Sequence, residues 1–297
     1  MHLASLLARQ ARWYPSRIAI IDEQGTWTFP GFVARLSRLG HALHGLGLTP
    51  GDRVALLLPD MREYLEVDYG SMSAGLVRVP LDPRLPRADL RALLRHAGAS
   101  ALVAHADFAD RVEGLAAEVE SLRFVIAVGG TMRDALDYET ILAAAKDTPF
   151  EGSDGEALAT LNFSGGTTGA PKAIMLRHRS LAAVLQNTIP GFGIAPDDVF
   201  LNIRPLWPIA QLVMMAHLVA GCPVVLGGRF TAETFADQFE RSGATRSSLV
   251  PTQLIRLLPH LRPGDPRLSR LRAITIGGSR VRPADFSMAW ERLGPRI

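Results

Sequence analysis

The 297-residue chain contains a single cysteine, Cys222, and only two lysines, Lys146 and Lys172. One thiol excludes an internal disulfide and any zinc site built on several thiolates, and it fits a reducing compartment, so the expected location is the cytoplasm. Long hydrophobic runs are also missing. The most apolar stretch, Leu212 to Leu226, is broken by His217, Gly221 and Pro223 and is too short to cross a bilayer, so it reads as buried core. The N-terminus carries Arg9 and Arg12 in a leucine-rich amphipathic pattern and lacks the layout of a secretory signal. Neither sign of charge dominates: 32 basic against 29 acidic residues gives +3, with the basic residues scattered, and no nucleic-acid footprint results. The eight histidines show no paired metal spacing, and no metal ligand is assigned.

What is present is ordinary globular material, 47% hydrophobic and 21% charged, in a chain long enough for about two domains at roughly 150 residues each. Phe32, Leu36, Leu39, Leu43 and Leu46 recur at helical spacing, Pro50-Gly51-Asp52 makes a turn, and Val54 to Leu58 is an apolar strand. Two more such units follow. One has a helix over Arg62 to Ala74 and a strand over Leu76 to Pro80; the other has a helix over Ala88 to His96 and a strand over Ser100 to Ala104. This repetition predicts an α/β fold with helices packed on the faces of β-sheets. A polar stretch at 146–156, read as a linker or surface loop, divides the chain into subregions of about 1–150 and 151–297. Beyond it, strands are expected at Ala157 to Phe163 and Ala173 to Arg177, then a helix capped by Ser180 and running through Gln186.

Because arginine serves nearly everywhere as the cation, each lysine stands out. Lys146 lies beside Asp147 in polar surroundings and reads as a solvated charge. Lys172 closes the segment Asn162-Phe-Ser-Gly-Gly-Thr-Thr-Gly-Ala-Pro-Lys172. Its glycines permit close backbone approach to a ligand, successive amides can form an anion-binding nest, and the threonine hydroxyls and the ammonium add donors. These are the parts of a triphosphate clamp, although the spacing is not that of the common P-loop and the flanks read strand-loop-strand. The alternative is a plain glycine-rich turn. Ser71-Met-Ser-Ala-Gly75 differs by one residue from a nucleophile elbow, but Ser71 stands where the first glycine is required.

The loop resembles the signature of the adenylate-forming superfamily, which includes acyl-CoA and aryl-CoA synthetases, with the pattern Tyr-Thr-Ser-Gly-Thr-Thr-Gly-x-Pro-Lys-Gly. Further segments are similar to family motifs in the same order: Gly47 to Asp60, Ala74 to Pro83, Gly221 to Phe230, Val250-Pro251-Thr252 and Leu271 to Ser279. The resemblance implies ATP-dependent activation of a carboxylic acid to an acyl-adenylate, then thioester formation with CoA or the pantetheine of an acyl carrier protein. It implies nucleotide contacts from Ser164, Gly165, Gly166, Thr167, Thr168, Gly169, Lys172, Gly277, Gly278 and Ser279, with Thr167 and Lys172 acting on the pyrophosphate. Pro205-Leu-Trp-Pro-Ile is similar to the family's Pro-x-Phe-His-x turn, which implies substrate contacts from Trp207, Pro208 and Gln211; the alternative for Trp207 is core packing.

The chain also departs from the family. Gly165 replaces a usual serine, Ala173 a glycine, and Pro208 the histidine of the turn, so gating by an imidazole is not expected. The family's Tyr-Gly-x-Thr-Glu motif, whose Glu binds Mg²⁺, its ribose Asp and its lid Lys are not found, and no lysine follows Lys172. The expectation is an incomplete N-terminal core of the adenylate-forming fold, inactive alone and prone to self-association. The alternative is a nucleotide-binding or interaction module without ligase activity. No acid lies between Asp198 and Glu233 to bind an α-amino group, which points to a fatty or aryl acid rather than an amino acid.

Overall fold

The computed structural model describes residues 3–150, 152, 154–164 and 172–297. Its strands are β1 (Ile18–Asp22), β2 (Gly25–Thr28), β3 (Arg53–Leu57), β4 (Val77–Pro80), β5 (Ala99–His105), β6 (Phe124–Val128), β7 (Leu136–Asp137), β8 (Leu158–Ser164), β9 (Lys172–Arg177), β10 (Phe200–Asn202), β11 (Val224–Leu226), β12 (Arg246–Leu249) and β13 (Ala273–Ile276). They form two sheets, ordered β7-β6-β5-β3-β4-β8-β9 and β13-β12-β10-β11-β1-β2. Every neighbouring pair is parallel except β8 with β9 and β1 with β2, each at a sheet edge. Parallel strands need helical crossovers, and the helix-strand alternation of the sequence supplies them. The fold is α/β, with helices packed on mixed sheets.

Each sheet draws strands from both sides of the polar stretch at 146–156: β1 pairs with β11, and β4 pairs with β8. Asp147 and Phe150, within that stretch, dock against the helix Phe29–Gly45. Arg38 pairs with Asp147 at 3.1 Å, and the Phe150 ring stacks on His41 with centroids 4.4 Å apart. A Cβ at Gly40 would come within 2.5 Å of that ring, so glycine is what allows it to seat.

The helix Phe29–Gly45 starts where the Thr28 hydroxyl accepts the Gly31 amide, and it buries Phe32, Leu36, Leu39 and Leu43. The helix His178–Gly191 starts without the expected cap: Arg177 occupies the cap position, makes no side-chain cap bond, and Ser180 lies inside the first turn. The β1–β2 hairpin and the polar strand β12, which the sequence pattern did not announce, complete the six-stranded sheet.

The helix Arg62–Ser73 is buried along its whole length, charged residues included. Burying charge is tolerable only when it is matched. Glu66 meets Arg35 at 2.6 Å and accepts from the Tyr138 hydroxyl at 2.8 Å. Asp68 sits 2.9 Å from Nε of Arg78, which is itself buried on β4. Arg78 in turn donates to Thr160 Oγ1 at 2.9 Å and to Asn162 Oδ1 at 3.3 Å on β8. One buried ion pair thereby braces the strand that leads toward the glycine-rich segment. The same helix disposes of the nucleophile-elbow alternative, because Ser71 is a helical residue with no exposed surface.

Candidate active site

In parallel sheets ligands bind beyond the carboxyl ends of the strands, where backbone groups and loops converge. Three segments far apart in sequence meet there. β13, β12 and β10 are neighbours in that order, and their ends run into Gly277-Gly278-Ser279, Val250-Pro251-Thr252 and the turn at Pro205 to Pro208. The turns are tied together by hydrogen bonds. The Gly277 amide donates to Leu249 O at 3.1 Å, Gln253 Nε2 to Ile203 O at 3.3 Å, and Arg204 Nη1 to Ser248 Oγ at 3.0 Å.

A cleft of about 360 Å³ opens between the sheets at this rim, lined by Leu58, Asp60, Asp82, Arg84, Pro205 and Trp207 among others. Trp207 is half-buried, and the Arg84 guanidinium lies 5.7 Å from its ring centroid. The Trp207–Pro208 peptide is cis. Asp60 Oδ1 accepts the Leu206 amide at 2.6 Å and fixes the start of the turn. Asp60 closes the first motif segment and carries no obvious catalytic signature in the sequence.

The expected site residues fall into three groups. Ser164 ends β8 and is paired in register with Lys172, the exposed first residue of β9. Gly165, Gly166, Thr167, Thr168 and Gly169 lie outside the described residues. Gly277, Gly278 and Ser279 do follow β13, but the Gly277 amide is already used in the bond to Leu249, leaving Gly278, at φ +100°, and Ser279 exposed. Trp207 lines the cleft at the rim, and Pro208 follows it, exposed, across the cis peptide.

Gln211 does not. It is buried, its Nε2 donates back to Pro208 O at 3.2 Å, and its own carbonyl accepts from the Tyr69 hydroxyl at 2.6 Å. It braces the turn and does not line the cleft. Among the described residues no group of three His, Cys, Asp or Glu side chains could hold a metal ion. No described helix is long and apolar enough to cross a membrane.

A family model described as AMP-binding enzyme matches residues 7–297. The chain belongs to this adenylate-forming family. Feruloyl-CoA synthase of Amycolatopsis sp is 33% identical over 96% of this chain and 56% of its own length. The 2-hydroxy-7-methoxy-5-methyl-1-naphthoate-CoA ligase of Streptomyces carzinostaticus is 28% identical over 99% of this chain and 56% of its own. The fold is shared with the anthranilate CoA ligase AuaEII, solved with anthranoyl-AMP, at a TM-score of 0.89 and 21% identity, over 99% of this chain and 58% of that one. The chain therefore spans a little over half the length of these AMP-binding relatives.

Proposed function

We propose that the protein to which this chain belongs activates a carboxylic acid with ATP and passes the acyl group to a thiol. A carboxylate oxygen attacks the α-phosphorus, the bond to pyrophosphate breaks, and the acyl-adenylate forms; the thiol of CoA or of a carrier-protein pantetheine then displaces AMP. The observation that carries this reading is the meeting of three motif segments at the ends of β10, β12 and β13 beside the Trp207 cleft.

In this reading Lys172 and the threonines Thr167 and Thr168 stabilise the charge that develops on pyrophosphate. The nucleotide lies along Gly278 and Ser279. Trp207 and Pro208 wall the acid, with Gln211 supporting them from beneath. The family's Mg²⁺ would supply further charge neutralisation at the phosphates. An aryl acid is favoured, since the cleft has an aromatic wall and the naphthoate and feruloyl enzymes above are named for such acids. Use of ATP and CoA fits a cytoplasmic location.

The test is ATP–pyrophosphate exchange by the whole protein with a panel of aryl and fatty acids. Exchange that depends on an aryl acid supports the reading. ATP binding with no exchange for any acid would leave a nucleotide-binding module without ligase activity.

A further inference from the structure

Arg204 lies two residues beyond the end of β10, immediately before the Trp207 turn. Strand alternation, continued past Asn202, places Phe200, Asn202 and Arg204 on one face and Leu201 and Ile203 on the other. Phe200 packs into the core shared with Trp207 and the helix His178–Gly191, whereas Leu201 and Ile203 pack against Phe235, Phe239 and Leu254 on the outer side. Arg204 therefore faces inward, between the sheets, at the rim where the motif segments meet.

This guanidinium is sparsely partnered. It is half-buried, and burial lowers its pKa. Arg35, Arg62, Arg78 and Arg246 are each matched by a carboxylate. Among the described residues Arg17 and Arg53 lack one but donate to two backbone carbonyls each. Arg204 has neither: among the described residues its one hydrogen bond goes to the neutral Ser248 hydroxyl at 3.0 Å, and no carboxylate lies within ion-pair distance. A partly dehydrated cation without a counter-ion costs stability, and its planar fork suits carboxylate and phosphate oxygens.

We propose that Arg204 holds an oxyanion of the bound reactants, the carboxylate of the acid or a phosphate of the nucleotide, at the rim of β10 and β12. Ser248 keeps the guanidinium aimed while the site is empty. The inference rests on the acid-activation reading, but its binding test does not require turnover.

The experiment compares wild type, Arg204→Leu and Arg204→Lys in the whole protein by thermal melting, alone and with benzoate or AMP as probes. Without ligand, Arg204→Leu should melt at or above the wild-type temperature, since an unmatched charge has been removed. The wild type should be stabilised by at least one probe, and that shift should be lost in Arg204→Leu and partly kept in Arg204→Lys. Loss with benzoate assigns the acid carboxylate; loss with AMP assigns the phosphate. In turnover, KM for the same reactant should rise at least about tenfold, while KM for the other stays within about threefold. No probe shift in the wild type, or equal shifts in wild type and Arg204→Leu, overturns the proposal. So does an Arg204→Leu protein that melts well below wild type and still binds both probes. Failure of exchange in the wild type would count against acid activation and leave these binding arms to be read by themselves.

Discussion

Asp60 Oδ1 accepts the backbone amide of Leu206 at 2.6 Å, across 146 positions of sequence. The bond joins the loop after β3, in one sheet, to the turn after β10, in the other, and Trp207 is the next residue along. Since Leu206 is buried, its amide has few other partners. Asp60→Ala should cost about 1 kcal/mol and loosen the turn, whereas Asp60→Asn keeps an acceptor oxygen and should stay near wild type. Trp207 emission, isolated by difference against Trp207→Phe, together with urea unfolding, checks this. Equal behaviour of the two variants would show that the bond does not hold the wall.

Trp207 itself separates two roles by experiment. As the half-buried wall of the cleft, its replacement by Ala should shift preference toward bulkier aryl acids and cost less than the roughly 3–5 kcal/mol expected for a fully packed tryptophan. An acid panel run beside thermal melts decides between wall and core; an unchanged ranking with a large loss of stability means core.

Lys172 is exposed at the start of β9, so Lys172→Ala should leave the melting temperature almost unchanged. Loss of one charge-assisted contact to a phosphate is worth about 1.5–3 kcal/mol, or roughly 10- to 100-fold in kcat/KM for ATP. Steady-state kinetics at saturating acid measures it, and an unchanged value would remove Lys172 from the phosphate site.

Two buried groups oppose each other with pH. Burial raises the Asp68 carboxyl to about 6 in spite of Arg78, so between its unfolded value of 3.8 and about 6 the native state holds more protons. Its contribution to stability therefore grows as pH falls through that window. Burial lowers His217 to about 4 from 6.5, so over nearly the same window the unfolded state holds more protons and the His217 contribution is lost as pH falls. His217→Gln should make the protein less sensitive to acid than wild type. Asp68→Asn should make it more sensitive, because the substitution removes the group whose contribution grows as pH falls. Urea unfolding of the three proteins from pH 4 to 7 tests both signs.

The helix Pro283–Leu293 presents Phe286 and Trp290, 47% and 50% exposed with ring centroids 6.3 Å apart. Side chains of this kind on a free surface promote association. Phe286→Ser/Trp290→Ser should reduce light scattering of the purified 297-residue chain at high concentration without lowering its melting temperature. Scattering unaffected by the double substitution would place the sticky surface elsewhere.

Much of this protein is determined by local sequence. Leucines at helical spacing, Thr28 at a helix start and short apolar runs separated by Gly and Pro specify the helix-strand units, because propensity, capping and burial periodicity act over a few residues. The loop around Lys172 and the ordered motifs are likewise local patterns, and they carried the family. Only the tertiary structure decided what depends on distance in space. It gave the β1–β2 hairpin to the sheet built mainly from the second half of the chain and put β8 and β9 in the other. It buried every residue of the charged helix Arg62–Ser73, turned Gln211 away from the cleft, joined Asp60 to Leu206, and left Arg204 with a hydroxyl as its partner. The physical reason is that charge matching and strand pairing are satisfied by whichever groups the packed fold brings within a few ångströms, and sequence separation does not limit that choice.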